Sequence, residues 1–466
     1  MSDMADLTAS ELLGLFASGA VSPVDAVQAC TERISAVDDQ LNAVLVLLAD
    51  DALAQARESE QRWVDGTARP LEGVPYGLKD IIATAGVLTT GGSALYRANV
   101  PDTDAALAAR LAGAGGIRLA KLHTFEFACG GADNRTFGMC RNPWDTSRTT
   151  GGSSSGSGAA VAAGEVPLAI GTDTGGSIRI PAAYCGITGL KPTFGRVPRH
   201  GVMGLSWTLD HAGPMTRSVA DAALMLGVIA GRDPRDPTSS GRPVPDYAPA
   251  LTAPAEGMVV GRPRGWFEDK LQPEVAEAFE RAVGEMVAAG VRVVDVDLPD
   301  VDLWDVAGWS VMYPEALSLH GGHMHDVENR DAMGAGMLAT APYVHASDYL
   351  RGLRYRRVAQ GQLETAMQGV AALVTPGAIS VAPPLGDISS TDDSAGWLLD
   401  ATRPSMPFNY TGNPALCLPA GLVDGLPVSL QLVARPHDEA SLFTLGAAYQ
   451  SATDHHTARP ALLAAV

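Results

Sequence analysis

The sequence predicts an α/β fold in one domain, and three observations carry that expectation. Helical and extended patterns alternate along the chain. A helical run over 104–114 gives way at Gly115-Gly116 to a strand over 117–122, and a helix over 273–289 gives way to the strand pattern Val-Arg-Val-Val-Asp-Val-Asp at 291–297. Such alternation marks layered sheet and helix rather than segregated classes. No internal repeat and no composition shift separates a second domain, although 466 residues would accommodate two or three. A glycine- and serine-dense stretch from Thr149 to Ser177 lies within the alternation. It is not a linker, because linkers are not followed at once by apolar residues able to pack.

Taken in order, residues 1–65 read as a helical arm that packs or dimerises. Ser22-Pro23 with Asp25 supplies an N-cap, a first-turn proline and a first-turn acid ahead of Val27, Cys30, Ile34 and Val37. An Ala/Leu/Val segment over 41–56 follows as helix. The core, 71–220, opens on a buried strand around Leu78 to Ile82 that carries Lys79, unusual because lysine is seldom fully buried. Residues 141–150 read as turns. Ala159–Ala163 is a short helix, Val166–Ile170 a buried strand, and 219–230 a helix. A Pro/Asp/Ser-rich excursion over 231–256 leads into a region, 235–400, that is helical from 300 to 370 and rich in Met and Trp. A strand over 370–374 and an acidic loop over 387–393 complete it. Residues 405–451 close the fold with a strand at 428–433 and a helix at 437–451.

Composition is that of a soluble globular protein, 46% apolar and 18% charged, with no apolar run long enough to span a bilayer. The acidic start, Met-Ser-Asp-Met-Ala-Asp, lacks a secretory signal's basic residues. Five scattered cysteines, none in a C-x-x-C pair, fit reduced thiols and a cytoplasmic address. A net charge of −19 repels phosphate backbones, so direct nucleic-acid binding is not expected.

Short motifs in the glycine-rich stretch fail on context. Gly152-Ser-Ser-Ser-Gly156 matches a nucleophile elbow with Ser154 in the nucleophile slot, but no strand pattern leads into it. No lysine follows the glycines as a P-loop requires, and Val161 spoils the dinucleotide fingerprint. His123, His200 and His211 are not placed by any motif and read as structural. His320, His323 and His325 follow H-x-x-H-x-H on a glycine-broken segment, which spreads the rings rather than converging them on a metal.

The longer pattern resembles the signature of the amidase signature family of serine hydrolases. Gly151-Gly-Ser-Ser-Ser-Gly156 is followed by Gly171-Thr-Asp-Thr-Gly-Gly-Ser-Ile-Arg-Ile-Pro-Ala-Ala183 and Gly189-Leu-Lys-Pro-Thr-Phe-Gly-Arg196, with Pro75 to Asp80 matching the family's P-x-x-x-K-D. The likeness covers nearly the whole chain, strongly over 71–220 and 405–450. It implies an α/β/α domain with a mixed, twisted sheet covered by helices on both faces. It further implies Ser177 as nucleophile, Ser153 as proton relay after a cis Gly152–Ser153 peptide, and Lys79 as base and later acid. Backbone N–H groups of Thr174, Gly175, Gly176 and Ser177 would hold the oxyanion. Ser154 and Ser155 support the site, and Asp173 with Arg179 pins the nucleophile's loop as an ion pair. A lysine base must be neutral, so its pKa has to fall by about three units through burial.

Two functions remain open at this level. One is an amidase acting through an acyl-enzyme on a small apolar or aromatic amide, carbamate or hydrazide. It would need no cofactor, metal, membrane or nucleic acid and would work as a monomer or homodimer. The other is a glutaminase-type A subunit of a tRNA-dependent amidotransferase; glutaminase members carry an acid five positions before the proline matching Pro407, where this chain has Thr402. Trp304, Trp309, Met312, Tyr313, Met324, Met333 and Met337 crowd the divergent region, with Met203 and Trp207 after the signature. They predict an open, largely apolar pocket beside Ser177, flanked by a mobile helix or lid over 328–340.

Overall fold

The computed structural model describes residues 4–132, 134–323, 326, 330–388 and 394–465, the side chains of 332, 333, 394, 395, 464 and 465 excepted. Thirteen strands follow one another among these residues. The first eight are β1 Val44–Leu47, β2 Pro75–Lys79, β3 Ile117–Leu122, β4 Arg141–Asn142, β5 Asp145–Thr149, β6 Leu168–Asp173, β7 Thr188–Lys191 and β8 His211–Thr216. The rest are β9 Val259–Pro263, β10 Arg292–Val296, β11 Ala372–Pro376, β12 Ala415–Val423 and β13 Leu426–Ala434. Eleven of them form one sheet in the order β1-β3-β2-β6-β8-β7-β12-β13-β11-β9-β10, while β4 and β5 make a separate ribbon. The sheet is mixed: β2 runs parallel to β3 and β6, and β8 runs antiparallel to both β6 and β7.

Side chains of a strand alternate between faces, and the core divides accordingly. On β6, Leu168 and Ile170 join Leu78, Leu107, Leu226, Leu430 and Phe443 in one cluster. Ala169 between them joins Leu119, Ala160, Tyr184 and Met215 in another. Each face therefore has its own helical cover. Helices Ala106–Gly113, Val219–Ile229 and Glu439–Ala452 lie on the first; Pro23–Leu41, Ser155–Ala162 and Arg179–Cys185 lie on the second. A third cluster, around Trp304, Met312, Phe408 and Tyr410, binds the long helices Val301–His320 and Ala346–Ala366 to the sheet's far half.

Several local expectations need correction. The segment 41–56 is not one helix. Helix Pro23–Leu41 ends at Asn42, whose φ of 53° is left-handed, and the alternating Val44-Leu-Val-Leu47 pairs antiparallel with β3 before helix Ala49–Val64 begins. A β-branched alternation with an open sheet edge beside it outcompetes helix propensity. Residues 145–149, expected as turns, form β5, paired with the neighbouring β4. The short helix starts four residues early, at Ser155, and the strands β7, β8 and β12 carried no readable alternation because both their faces are buried. In the acidic stretch, Leu385–Ile388 is a helical turn and 389–393 lie outside the described residues.

The central strands pack so closely that side chains are excluded. A Cβ built at Gly213 of β8 would stand 2.1 Å from the carbonyl oxygen of Leu190 on β7. Because that neighbour is backbone, it cannot rotate away. Gly213→Ala should therefore lower stability by about 1–3 kcal/mol, read as a shifted urea midpoint with an unchanged slope; an unshifted midpoint would show that the strands can part.

Candidate active site

Three segments deliver the site. Lys79 ends β2, where β3 and β6 flank it, and the residue is fully buried. Ser153 follows the β5 ribbon in a loop whose Gly152–Ser153 peptide is cis. Ser177 sits in the turn between β6 and helix Arg179–Cys185. Lys79 Nζ lies 2.7 Å from Ser153 Oγ and 2.8 Å from Thr172 Oγ1. Burial lowers the Lys79 pKa to about 7, although Asp173 and Asp210 pull it upward. Ser153 and Ser177 line one cavity.

The choice between serines follows from exposure and bonding. Ser177 is the one residue of 171–180 that is not buried. Ser154 is fully buried, its Oγ accepting from Thr172 N and donating to Thr172 O, both at 3.1 Å, while its N–H donates to Ser177 O at 3.3 Å. It is a brace between two loops, with no hydroxyl to spare for attack. Ser155 Oγ lies 3.1 Å from Nδ1 of His123, whose Nε2–H donates to Gly138 O. Burial depresses that imidazole to about 4, so it stays neutral.

Asp173 and Arg179 form the predicted ion pair, both fully buried. Arg179 grips Asp173 with Nε and Nη2, each at 3.0 Å, and reaches on to Gln431 Oε1 at 2.7 Å and Asn409 Oδ1 at 2.5 Å. Burial alone would raise the Asp173 carboxyl; the Arg179 guanidinium holds it well below the carboxylate range. The carboxylate in turn accepts from Gly176 N at 2.8 Å and Ile178 N at 3.1 Å, fixing the turn that carries Ser177, where Gly176 has a φ of 135°. That bond bears on one expectation: the Gly176 N–H is occupied by Asp173, while Thr174, Gly175 and Ser177 line the cavity.

The sequence did not single out Thr172, Asp210, Asn409 or Gln431. Thr174 Oγ1 donates to Asp210 Oδ1 at 2.6 Å, and burial raises that carboxyl. A signal existed for Gln431, an amide in the strand β13 whose one other polar side chain is Ser429. Nothing comparable marks Asp210.

The cavity at Ser177 is apolar as expected but small, at about 40 Å³. Trp309, Met312, Met337 and Trp397 wall it, and Thr402 lies at its edge with Oγ1 donating to Leu398 O. Trp304 is instead core, fully buried and bonded to Gln362, while Met203 and Trp207 line a different cavity. Tyr313 belongs to a third. Met324, the Met333 side chain, His325 and residues 328–329 lie outside the described residues. Within the expected lid, Arg330 is buried against Glu126 at 3.1 Å, which ties the start of helix Ala332–Thr340 to the body. His320 Nε2 meets Gly204 O and its ring stacks on Phe127, and the His323 ring contacts Tyr96; they do not converge.

The family model described as Amidase matches residues 25–443. The chain belongs to the amidase family of C–N hydrolases. It is 41% identical to the A subunit of the glutamyl-tRNA(Gln) amidotransferase of Chloroflexus aggregans, with 99% of each chain covered. Among solved structures it is similar to the native peptide amidase of Stenotrophomonas maltophilia, at 32% identity and a TM-score of 0.84 over 97% of this chain and 98% of that one. It is also similar to the A subunit of the glutamyl-tRNA(Gln) amidotransferase of Thermotoga maritima, at 27% identity and a TM-score of 0.80 over 95% and 94%. These amidotransferase relatives overturn the expectation of a monomer or homodimer working on a small-molecule amide apart from nucleic acid. The charge argument failed because it bears only on phosphate contacts made by this chain itself, and one member of an assembly can leave those to a partner. No described helix is long and apolar enough to cross a membrane.

Removing one partner of the Asp173–Arg179 pair leaves the other charge buried and uncompensated. Arg179→Ala should cost about 3–5 kcal/mol of stability, measured by urea unfolding; a loss below about 1 kcal/mol, the size of an exposed pair, would show the pair to be dispensable.

Proposed function

We propose that this chain is the amide-hydrolysing A subunit of an amidotransferase. Its near end-to-end likeness to the amidotransferase relatives carries the assembly, and the buried Lys79–Ser153 contact beside Ser177 supports the chemistry. In this mechanism Ser177 Oγ attacks the amide carbonyl, giving its proton to Ser153 as Ser153 gives its own to neutral Lys79. The N–H groups of Gly175 and Ser177, with Thr174 N–H beside them, take the oxyanion. Lys79 returns the proton through Ser153 to the departing nitrogen, and water releases the acyl group by the same relay. Ammonia from a primary amide would pass to the partner's substrate.

A second reading has its own observation. The described walls at Ser177 are apolar, and Thr402 stands where a glutaminase would carry an acid for the substrate ammonium. An amidase for apolar or aromatic amides fits those walls. Comparing kcat/KM for glutamine and for an anilide decides between the two: preference for glutamine supports the amidotransferase reading, and preference for the anilide supports the second.

Both readings need Ser177 acylated and Lys79 neutral. Phenylmethylsulfonyl fluoride should label Ser177, and Ser154→Ala should retain substantial activity; label confined to Ser154 would defeat the assignment. Because only neutral Lys79 accepts the proton, kcat/KM should rise with pH through about 7 and level off above it. Lys79→Ala should remove that limb and lower kcat by about 10²–10⁴. A profile flat from pH 5 to 9 would exclude Lys79 as the base.

A further inference from the structure

Beyond the cavity at Ser177 a larger one, about 440 Å³, lies against Trp309, which lines both. It is built on one stripe of helix Val301–His320, where Asp305, Trp309 and Tyr313 recur at the four-residue spacing that stacks side chains on one face. Trp266, Leu399 and Arg403 contribute to the remaining walls. Asp305 is out of place in such surroundings. It is 8% exposed and accepts no hydrogen bond from any described residue, and its Oδ1 is fully occluded. Burial pushes its carboxyl up to about 7, with Arg403 pulling the other way.

A buried carboxylate without a donor is costly unless a partner arrives. Neither cation at the cavity donates a hydrogen bond to Asp305, although the Arg403 charge reaches it. Lys270 Nζ pairs with Asp400 Oδ1 at 2.7 Å. Arg403 lies 3.5 Å over the Trp266 ring and donates Nε to Trp266 O at 2.9 Å. Meanwhile Trp309 and Tyr313, with centroids 5.6 Å apart, supply ring surface of the kind that attracts a partly desolvated ammonium.

We propose that this cavity is a subsite for a primary ammonium group on the acyl part of the amide substrate, with Asp305 as counter-ion and Trp309 and Tyr313 as flanking rings. The substrate class is then an amide with an apolar stretch next to the scissile carbonyl and a cationic end beyond it. The apolar walls at Ser177 and the acid beyond Trp309 are accommodated together, and the acid absent at Thr402 has a counterpart on another helix. The inference rests on Ser177 as the acylated residue only for its direction, since the ammonium end is assigned to the acyl side.

The test uses Ser177→Ala protein, which turns nothing over, titrated calorimetrically with 5-aminopentanamide and with neutral pentanamide. The ammonium compound should bind at least about ten-fold more tightly, in the range of a desolvated cation beside an acid and aromatic rings. Adding Asp305→Asn should abolish the difference. Leu399→Lys, at an exposed position of the cavity wall, should also abolish it by placing a fixed cation near Asp305, with no change in melting temperature. Equal affinities, no binding of either compound, or a preference surviving in Asp305→Asn would overturn the subsite. If the preference holds while the wild-type enzyme hydrolyses no amide, the subsite stands and the Ser177 reading falls. If amides are hydrolysed through Ser177 with no preference, the subsite alone falls.

Discussion

The site depends on keeping Lys79 out of water. A lysine brought from its ordinary pKa to about 7 gives up on the order of 4 kcal/mol of preference for its charged form, and that has to come from packing. β2 provides it by lying inside the sheet, with β3 and β6 on its two sides and Leu78 in the core beneath. The same burial makes nearby carboxylates dangerous, because Asp173 and Asp210 both draw a proton toward Lys79. Each is restrained in its own way. The Arg179 and Asn409 side chains and three backbone amides occupy Asp173, while Thr174 and the amides of Leu205 and Ser206 occupy Asp210. The ion pair that looks like a loop fastener is also what limits the field at the base.

How much of this was legible in the sequence depended on whether the determinant was local. Lys79, Ser153, Ser177, Asp173 and Arg179 could be singled out because each lies in a contiguous motif that resembles the amidase signature. The alternation that gave β3 and β10 was readable because their flanking helices have clear boundaries. Strands β7, β8 and β12 were not, because strands buried on both faces lose the period-two pattern. β1 was lost to its helical surroundings, since Val44–Leu47 becomes a strand only where β3 offers an edge. Asp210, Asn409 and Gln431 reach the site from tens to hundreds of residues away, and sequence spacing carries no sign of such convergence. The pocket's size was misjudged for a related reason: counting Met and Trp residues gives the character of a wall but not its distance from the opposite wall.

Chemistry and selectivity are housed in different parts of the fold. Lys79 stands on β2, and Ser153 and Ser177 on two short loops braced by the sheet, where Gly213 and Gly189 allow strands and helices to approach without side chains between them. Part of the wall around Ser177 comes from outside that frame, from helices Val301–His320, Ala332–Thr340 and Ser394–Thr402, and part from Phe125, Ala128–Gly130 and Leu205. These helices pack on the third cluster, where Trp309, Met312, Met337 and Met406 are among the side chains able to repack around different contents. Substitution there changes what fits without disturbing what reacts.

The walls also decide which of the chain's likenesses bears on substrate. An acid at 402 would face the cavity directly, next to Gly175 and the acyl carbon, and would suit a short donor whose ammonium lies near the scissile bond. Thr402 instead spends its hydroxyl on Leu398 O, so that edge of the cavity presents a methyl group to the ligand. Recognition of charge is thereby displaced outward, past Trp309, to the stripe on Val301–His320 where Asp305 sits. Moving the counter-ion beyond Trp309 lengthens the substrate that satisfies both ends at once. Length between the carbonyl and the cation, rather than the presence of a cation, is then what separates this pocket from that of a glutaminase.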